Sequence, residues 1–255
     1  MFFYLPFYAT MLKNTKDYKM IICVANEKGG SGKSNIAINL AIKLHSLKED
    51  VLLIDSDPQN SVKTFNDIRA SKEVPFGFNC VNIFGDSLAS QIALLQNKYE
   101  ILIIDTAGRD CDEMREALTA SDILIIPTLP SDLDIAVLNK MIKLYSQFKM
   151  FKKNLKAFVV ISKASPNPFL QEKIKALKEF ISKKNVDDLK LCESVLYERE
   201  IYRNAFANGM GVVEFAKKDD NVLKDFESFF NELVSFCQSK TNKKSKKRIK
   251  NERVK

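Results

Sequence analysis

Residues 20–34 read Met-Ile-Ile-Cys-Val-Ala-Asn-Glu-Lys-Gly-Gly-Ser-Gly-Lys-Ser, a run that leaves the chain few ways to fold. Ile21, Ile22, Cys23, Val24 and Ala25 form a short apolar stretch that predicts a buried strand. The apolar positions Ile36, Ile38, Leu40, Ala41 and Leu44 predict a helix after the glycines. Strand, glycine-rich turn and helix in this order are the setting a phosphate-binding loop requires. Glycines let backbone N–H groups converge on an anion, and the helix N-terminus adds partial positive charge. Gly29, Gly30, Ser31, Gly32, Lys33, Ser34 and Asn35 supply that cradle. Lys33 is expected to reach the β- and γ-phosphates and the Ser34 hydroxyl to hold Mg²⁺. A chance match to the six specified positions is on the order of 10⁻⁵ for a chain of this length, so a fortuitous turn is a poor explanation.

Two later strands end in acids. Val-Leu-Leu-Ile-Asp55-Ser-Asp57 places two carboxylates just past a strand, at the sheet edge where open parallel sheets bind ligands. Ile-Leu-Ile-Ile-Asp105-Thr-Ala-Gly108 has the form of a strand whose terminal Asp holds Mg²⁺ through water.

Apolar runs at Cys80–Phe84, Ile123–Pro127, Ala157–Ser162 and Leu189–Leu196 alternate with helical periodicity, clearest in Ile135–Phe148, Phe169–Ile181 and Val222–Phe236. This alternation predicts an α/β, doubly wound, mainly parallel sheet with helices on both faces, a three-layer nucleotide-binding architecture. The aromatic stripe of the last helix (Phe226, Phe229, Phe230) is most simply core. One folded domain is expected over residues 20–239, between an N-terminal extension (1–19) and a basic tail (240–255). The extension, rich in Phe and Tyr, is too short for a membrane span and lacks the basic start of a secretory signal.

The five cysteines are scattered without a Cys-x-x-Cys pair, which argues for reduced thiols rather than a disulfide framework or metal site. The lone histidine, His45, leaves a His-based triad little to build on. The net charge of +8 resides in the tail: Lys240–Lys255 holds nine basic residues and one acid, and the rest of the chain is neutral overall.

Lys28, ahead of the glycines, makes the loop resemble the deviant phosphate loop of the ParA/MinD superfamily of dimeric ATPases, and the resemblance extends over roughly residues 20–237. Asp-Ser-Asp-Pro-Gln59 is similar to the family's second acidic motif, Ile126-Pro127-Thr128 through Asp134 to its next loop and helix start, and Tyr202, Gly211, Val212 and Glu214 to its C-terminal pattern. The short N-terminus is like that of the plasmid-type subgroup without an operator-binding domain. The resemblance implies that Lys28 crosses into a partner subunit's site, that Asp57 positions the attacking water and that Asp55 supports the Mg²⁺ shell of Ser34 and Asp105; Lys28, Lys33 and Asp57 are then the catalytic set. It implies ATP and Mg²⁺ as ligands, a homodimer formed with ATP, slow hydrolysis stimulated by a centromere-binding protein of ParB/ParG type, and non-specific DNA as the track, in a nucleoid-associated, cytoplasmic setting. DNA contacts are expected from Arg199, Arg203, Lys217 and Lys218 on the folded domain, and from Lys243, Lys244, Lys246, Lys247 and Arg248 in the tail, where contacts to phosphates are sequence-independent and salt-sensitive.

The chain departs from the family at Ser34 and Asn35, where Thr is usual, and at Ser162-Lys163-Ala164-Ser165, where many members carry an adenine-binding Asn. Asp105-Thr-Ala-Gly-Arg109 is also similar to signal-recognition-type GTPases, but the Asp that pairs with guanine is replaced by Ser165, which favours ATP. A MinD-like membrane ATPase is the main alternative. Beyond Cys237, however, only Ile249 and Val254 are large and apolar, a poor insertion element, so no stable membrane association is expected. A small-molecule ligase of the dethiobiotin-synthetase type is a further alternative.

Overall fold

The computed structural model describes residues 19–239; the expectations for residues 1–18 and 240–255 lie outside the described residues. Seven strands form one sheet in the order β3-β2-β4-β1-β5-β6-β7. They are β1 (Met20–Val24), β2 (Val51–Asp55), β3 (Asn79–Asn82), β4 (Ile101–Asp105), β5 (Ile123–Thr128), β6 (Lys156–Ala164) and β7 (Leu189–Tyr197). Every pairing is parallel, which sharpens the expected mainly parallel sheet. A parallel neighbour requires a crossover, so helices intervene: α1 (Lys33–Ser46), α2 (Ser61–Ser71), α3 (Leu88–Leu95), α4 (Asp112–Ala120), α5 (Asp132–Phe151) and α6 (Gln171–Ser182), then α7 (Glu200–Ala207), α8 (Val212–Phe215) and α9 (Asn221–Gln238) after the last strand.

Because the central strands are buried on both faces, they read as unbroken apolar runs, yet alternate residues serve two cores. Ile22, Val24, Leu53, Ile103 and Phe158 face α1, α2 and α7–α9. Ile21, Cys23, Ile54, Leu102 and Ile104 face α3–α6. The aromatics of α9 are core as expected: Phe226, Phe229 and Phe230 are buried, and Phe158 lies 6.2 Å from Phe229 and 5.3 Å from Phe236 between ring centroids.

Element boundaries differ where local chemistry overrides periodicity. Helix α5 starts at Asp132, three residues earlier than the apolar pattern, because the Ser131 hydroxyl caps it by accepting from the Asp134 N–H. Helix α6 starts later than Phe169, because Pro168–Leu170 form a 3₁₀ turn capped by Asn167. Edge strand β3 stops at Asn82. The consequence for function lies at the carboxyl edge. Val24, Asp55 and Asp105 pair across β1, β4 and β2 in one row, so both acids end their strands at the same level as the start of the glycine loop. Among the described residues, no helix is long and apolar enough to cross a membrane.

Candidate nucleotide site

The loop between β1 and α1 is pinned at both ends. Buried Asn26 donates to the Pro127 carbonyl (2.6 Å) and accepts from the Lys28 N–H (2.9 Å), tying the loop's start to the end of β5. Ser162 at the end of β6 donates to the Ser31 carbonyl (2.7 Å). Between these anchors Gly30 and Gly32 take left-handed φ values of 75° and 94°, conformations costly for any residue with a Cβ. Gly32 is the N-cap of α1, with no side-chain cap and no acid in the first turn. The helix's first N–H groups and its positive end therefore remain available to an anion.

Lys33 is buried, and its ammonium donates to the Lys28 carbonyl (3.2 Å). Burial lowers its pKa, while Asp105 and Asp57 oppose that drop. Gly108 comes so close that a Cβ there would stand 2.8 Å from the Gly29 backbone and 3.2 Å from the Lys33 ammonium. The glycine three residues after Asp105 thus lets the β4 exit pack against the phosphate loop.

The three carboxylates play different parts. Asp105 is fully buried, and neither of its oxygens has a hydrogen-bond partner. Burial, aided by the Asp55 charge, raises its pKa to about 7, against the lowering influence of the Ser34 hydroxyl and the Lys33 ammonium. An unpartnered buried carboxylate is costly unless something charged satisfies it, and a divalent cation shared with the Ser34 hydroxyl fits that need. Asp55 instead accepts from the N–H groups of Asp57 (3.0 Å) and Val62 (3.1 Å). Both of its oxygens thereby organise the loop that carries Asp57. Asp57 lines the cavity and accepts from the Gln59 N–H (3.0 Å). Among the described residues no cluster of three or more Asp, Glu, His or Cys is arranged to hold a metal on its own, so phosphate oxygens would have to complete a cation's shell.

The cavity in front of the loop has a volume of ≈ 920 Å³ and runs from Gly29 and Gly108, past Ser162 and Lys163, to Leu196, Tyr202 and Phe206. That is ample for a nucleotide. The Tyr202 hydroxyl is buried there without a partner. Arg199 and Arg203, expected among the DNA contacts on the surface of the folded domain, line the wall of this cavity and are ion-paired, with Asp225 (2.9 Å) and Glu198 (2.8 Å). Lys217 and Lys218 are exposed in the turn before α9, and the five tail positions lie outside the described residues.

Lys28 directly precedes the glycines, its ammonium 2.7 Å from Asp134 of the same chain. Sequence reasoning did not foresee this pair, nor the roles of Asn26 and Ser162. The Ser131-x-x-Asp134 spacing announces a helix cap, but nothing along the chain announces Lys28 as its neighbour.

Residues 22–212 match the model of the CobQ/CobB/MinD/ParA nucleotide binding domain. The chain is 25% identical over 214 residues to the maintenance of carboxysome distribution protein A of Halothiobacillus neapolitanus, covering 84% of this chain and 95% of that protein. It is 23% identical over 210 residues to the protein ParA of Rhizobium radiobacter, covering 82% and 91%. In structure it is similar to apo McdA of Cyanothece (TM-score 0.67, 20% identity, 85% of this chain and 100% of that one). It is also similar to a Borrelia burgdorferi plasmid partition protein bound to AMPPNP (TM-score 0.61, 22% identity, 85% and 99%). With three quarters of its length matched and a phosphate cradle built as described, the chain belongs to the CobQ/CobB/MinD/ParA family of nucleotide-binding domains.

Proposed function

We propose that this chain is a partition ATPase: ATP joins two copies, the dimer binds non-specific DNA, and hydrolysis, slow until a centromere-binding partner accelerates it, releases both. The observation that carries this reading is Lys28, a partly exposed second lysine directly ahead of the glycines of a complete phosphate cradle, beyond what a single-chain nucleotide site needs. The relatives' names, which include partition and carboxysome distribution proteins, support a role in moving or spacing a large cargo. The basic residues of 240–255 favour DNA as the track.

In this reading the backbone of Gly29–Lys33 and the first turn of α1 bind the phosphates, and Lys33 neutralises the β/γ bridge. Ser34 and Asp105 would hold Mg²⁺, which supplies charge neutralisation on the phosphate oxygens. Asp57 orients the attacking water at the γ-phosphate, and Asp55 positions Asp57 through the backbone of its loop. Phosphoryl transfer of this kind needs placement and electrostatics rather than a covalent intermediate.

Sedimentation of wild type and Lys28→Ala with ATP and Mg²⁺, with and without duplex DNA, tests the proposal. Wild type is expected to dimerise with ATP and co-sediment with DNA, and Lys28→Ala to bind nucleotide but remain single. A wild-type chain that stays monomeric with a non-cleavable triphosphate would overturn it. Pelleting with anionic liposomes but not with DNA would transfer the reading to a membrane-positioning ATPase.

A further inference from the structure

Lys163 is in the left-handed region, with φ 50°, near the end of a strand. The ladder explains how. From Ser162↔Leu196 to Ala164↔Tyr197, β6 advances two residues while β7 advances one, so Lys163 is the extra residue of a bulge. Its neighbours Ser162 and Ala164 are buried, whereas Lys163 is exposed into the cavity. A non-glycine residue in this conformation is strained, and such strain persists only where the surroundings impose it.

The bulge lays the lysine's stem along the phosphate loop: its Cε lies 3.8 Å from where a Cβ on Gly32 would sit. Lys163 forms no ion pair among the described residues, while Arg199 and Arg203 on the same wall are already matched with acids. Lys33 and Lys163 are close enough for the second charge to disfavour the first. Lys33 and Lys163 line the same cavity, and because Asp105 and Asp57 act on Lys33 while Lys163 has no ion pair of its own among the described residues, the second lysine is the cation left to meet an anion there. The lysine's place along the cavity selects which part of the nucleotide that is. A triphosphate whose γ-phosphate lies at Gly29 and Gly108 would direct its nucleoside toward Leu196 and Tyr202 at the other end of the cavity. Lys163 stands between these two ends, over the N-cap of α1, where the phosphates nearest the nucleoside meet the helix.

We propose that Lys163 is a nucleotide-binding residue that contacts the α- and β-phosphates, the part common to ATP and ADP, and so sets the affinity for substrate and product together. The assignment deepens the nucleotide reading above and rests on it. A contact to the part shared by both nucleotides strengthens ADP and ATP binding by the same factor and leaves their ratio unchanged.

The test is calorimetric titration of MgADP and a magnesium-bound non-cleavable ATP analogue into wild type, Lys163→Gly, Lys163→Met and Lys163→Arg, with thermal melts of each. Glycine removes both charge and strain, and methionine removes charge alone. The expected result is a loss of affinity on the order of tenfold for both nucleotides in the Gly and Met variants, substantial recovery with Arg, and a melting temperature for Lys163→Gly at or above wild type. Unchanged affinity in a folded Lys163→Gly protein, or a loss confined to the ATP analogue, overturns the assignment and leaves the nucleotide site standing. Failure of wild type to bind either nucleotide overturns the site itself and this assignment with it.

Discussion

The Lys28 ammonium and the Asp134 carboxylate, separated by 106 positions in sequence, meet at 2.7 Å within one chain. Asp134 is almost fully buried, also accepts from the Ser131 hydroxyl, and has a second oxygen without a partner. In the proposed dimer, where Lys28 reaches into the second copy, the lysine has to leave this partner first, so the internal pair is expected to compete with dimerisation. Asp134→Asn preserves the helix cap and removes the charge. It is expected to shift ATP-dependent dimerisation to several-fold lower protein concentration in analytical ultracentrifugation, and no shift would mean that the pair plays no part in assembly.

Asp57→Ala separates binding from chemistry. Asp57 lines the cavity, and its side chain holds the loop through a single exposed bond, from the Gln59 N–H, so nucleotide affinity is expected to stay within about threefold. The hydrolysis rate is expected to fall by roughly 10²-fold, as when a water-orienting carboxylate is removed. A phosphate-release assay beside a binding titration reads both numbers.

Gly108→Ala is a steric test of the site. The added methyl would stand 2.8 Å from the Gly29 backbone, well inside van der Waals contact, so the phosphate loop must move. Nucleotide affinity is expected to drop by on the order of tenfold, with far-ultraviolet circular dichroism unchanged.

Asp105 makes the nucleotide-free protein sensitive to pH. Burial raises its pKa to about 7, above the ordinary carboxylate value of 3.8. The unfolded chain therefore ionises first, and this group destabilises the fold progressively as pH rises from about 4 to about 7, then levels off. Asp105→Asn is expected to stabilise the nucleotide-free protein at pH 8 by about 4 kcal/mol, seen as a melting temperature higher by roughly 8–16 °C. The gain is expected to vanish near pH 4. Saturation with magnesium and nucleotide is expected to favour wild type instead.

Arg69 is the structural counterpart. It is 2% exposed and donates to the carbonyls of Pro75 and Gly209 and to both oxygens of Glu214. It thus fastens α2, the helix following the Asp57 loop, to the turn between α7 and α8. Arg69→Ala leaves those acceptors unpaired at a cost of about 3 kcal/mol, and differential scanning calorimetry is expected to show a melting temperature lower by roughly 6–12 °C.

Much of this architecture is legible along the chain because its signals are local. Ile21–Ala25 followed by three glycines and a helical stripe can be little else, and Val51–Asp55 and Ile101–Asp105 declare strands by their apolar runs. Boundaries were less legible where a single cap or proline outweighed periodicity, as at Ser131 and Pro168. The β6 bulge has no sequence signal at all, since Lys163 is not a residue that announces left-handed backbone.

The amino-acid order by itself determined the parallel sheet, the phosphate loop and the two acid-tipped strands, because each follows from contacts a few residues apart or from the periodicity of burial. Only the tertiary structure decided the division of labour among the acids. It placed Asp55 and Asp105 in one ladder row, gave the first the backbone of the next loop and left the second without a partner. It also brought Asp134 to Lys28, Gly108 to Gly29 and Lys163 to Gly32. The physical reason is that a parallel sheet gathers the carboxyl ends of distant strands at one edge, where charge, burial and close approach are set by neighbours that the linear chain does not reveal.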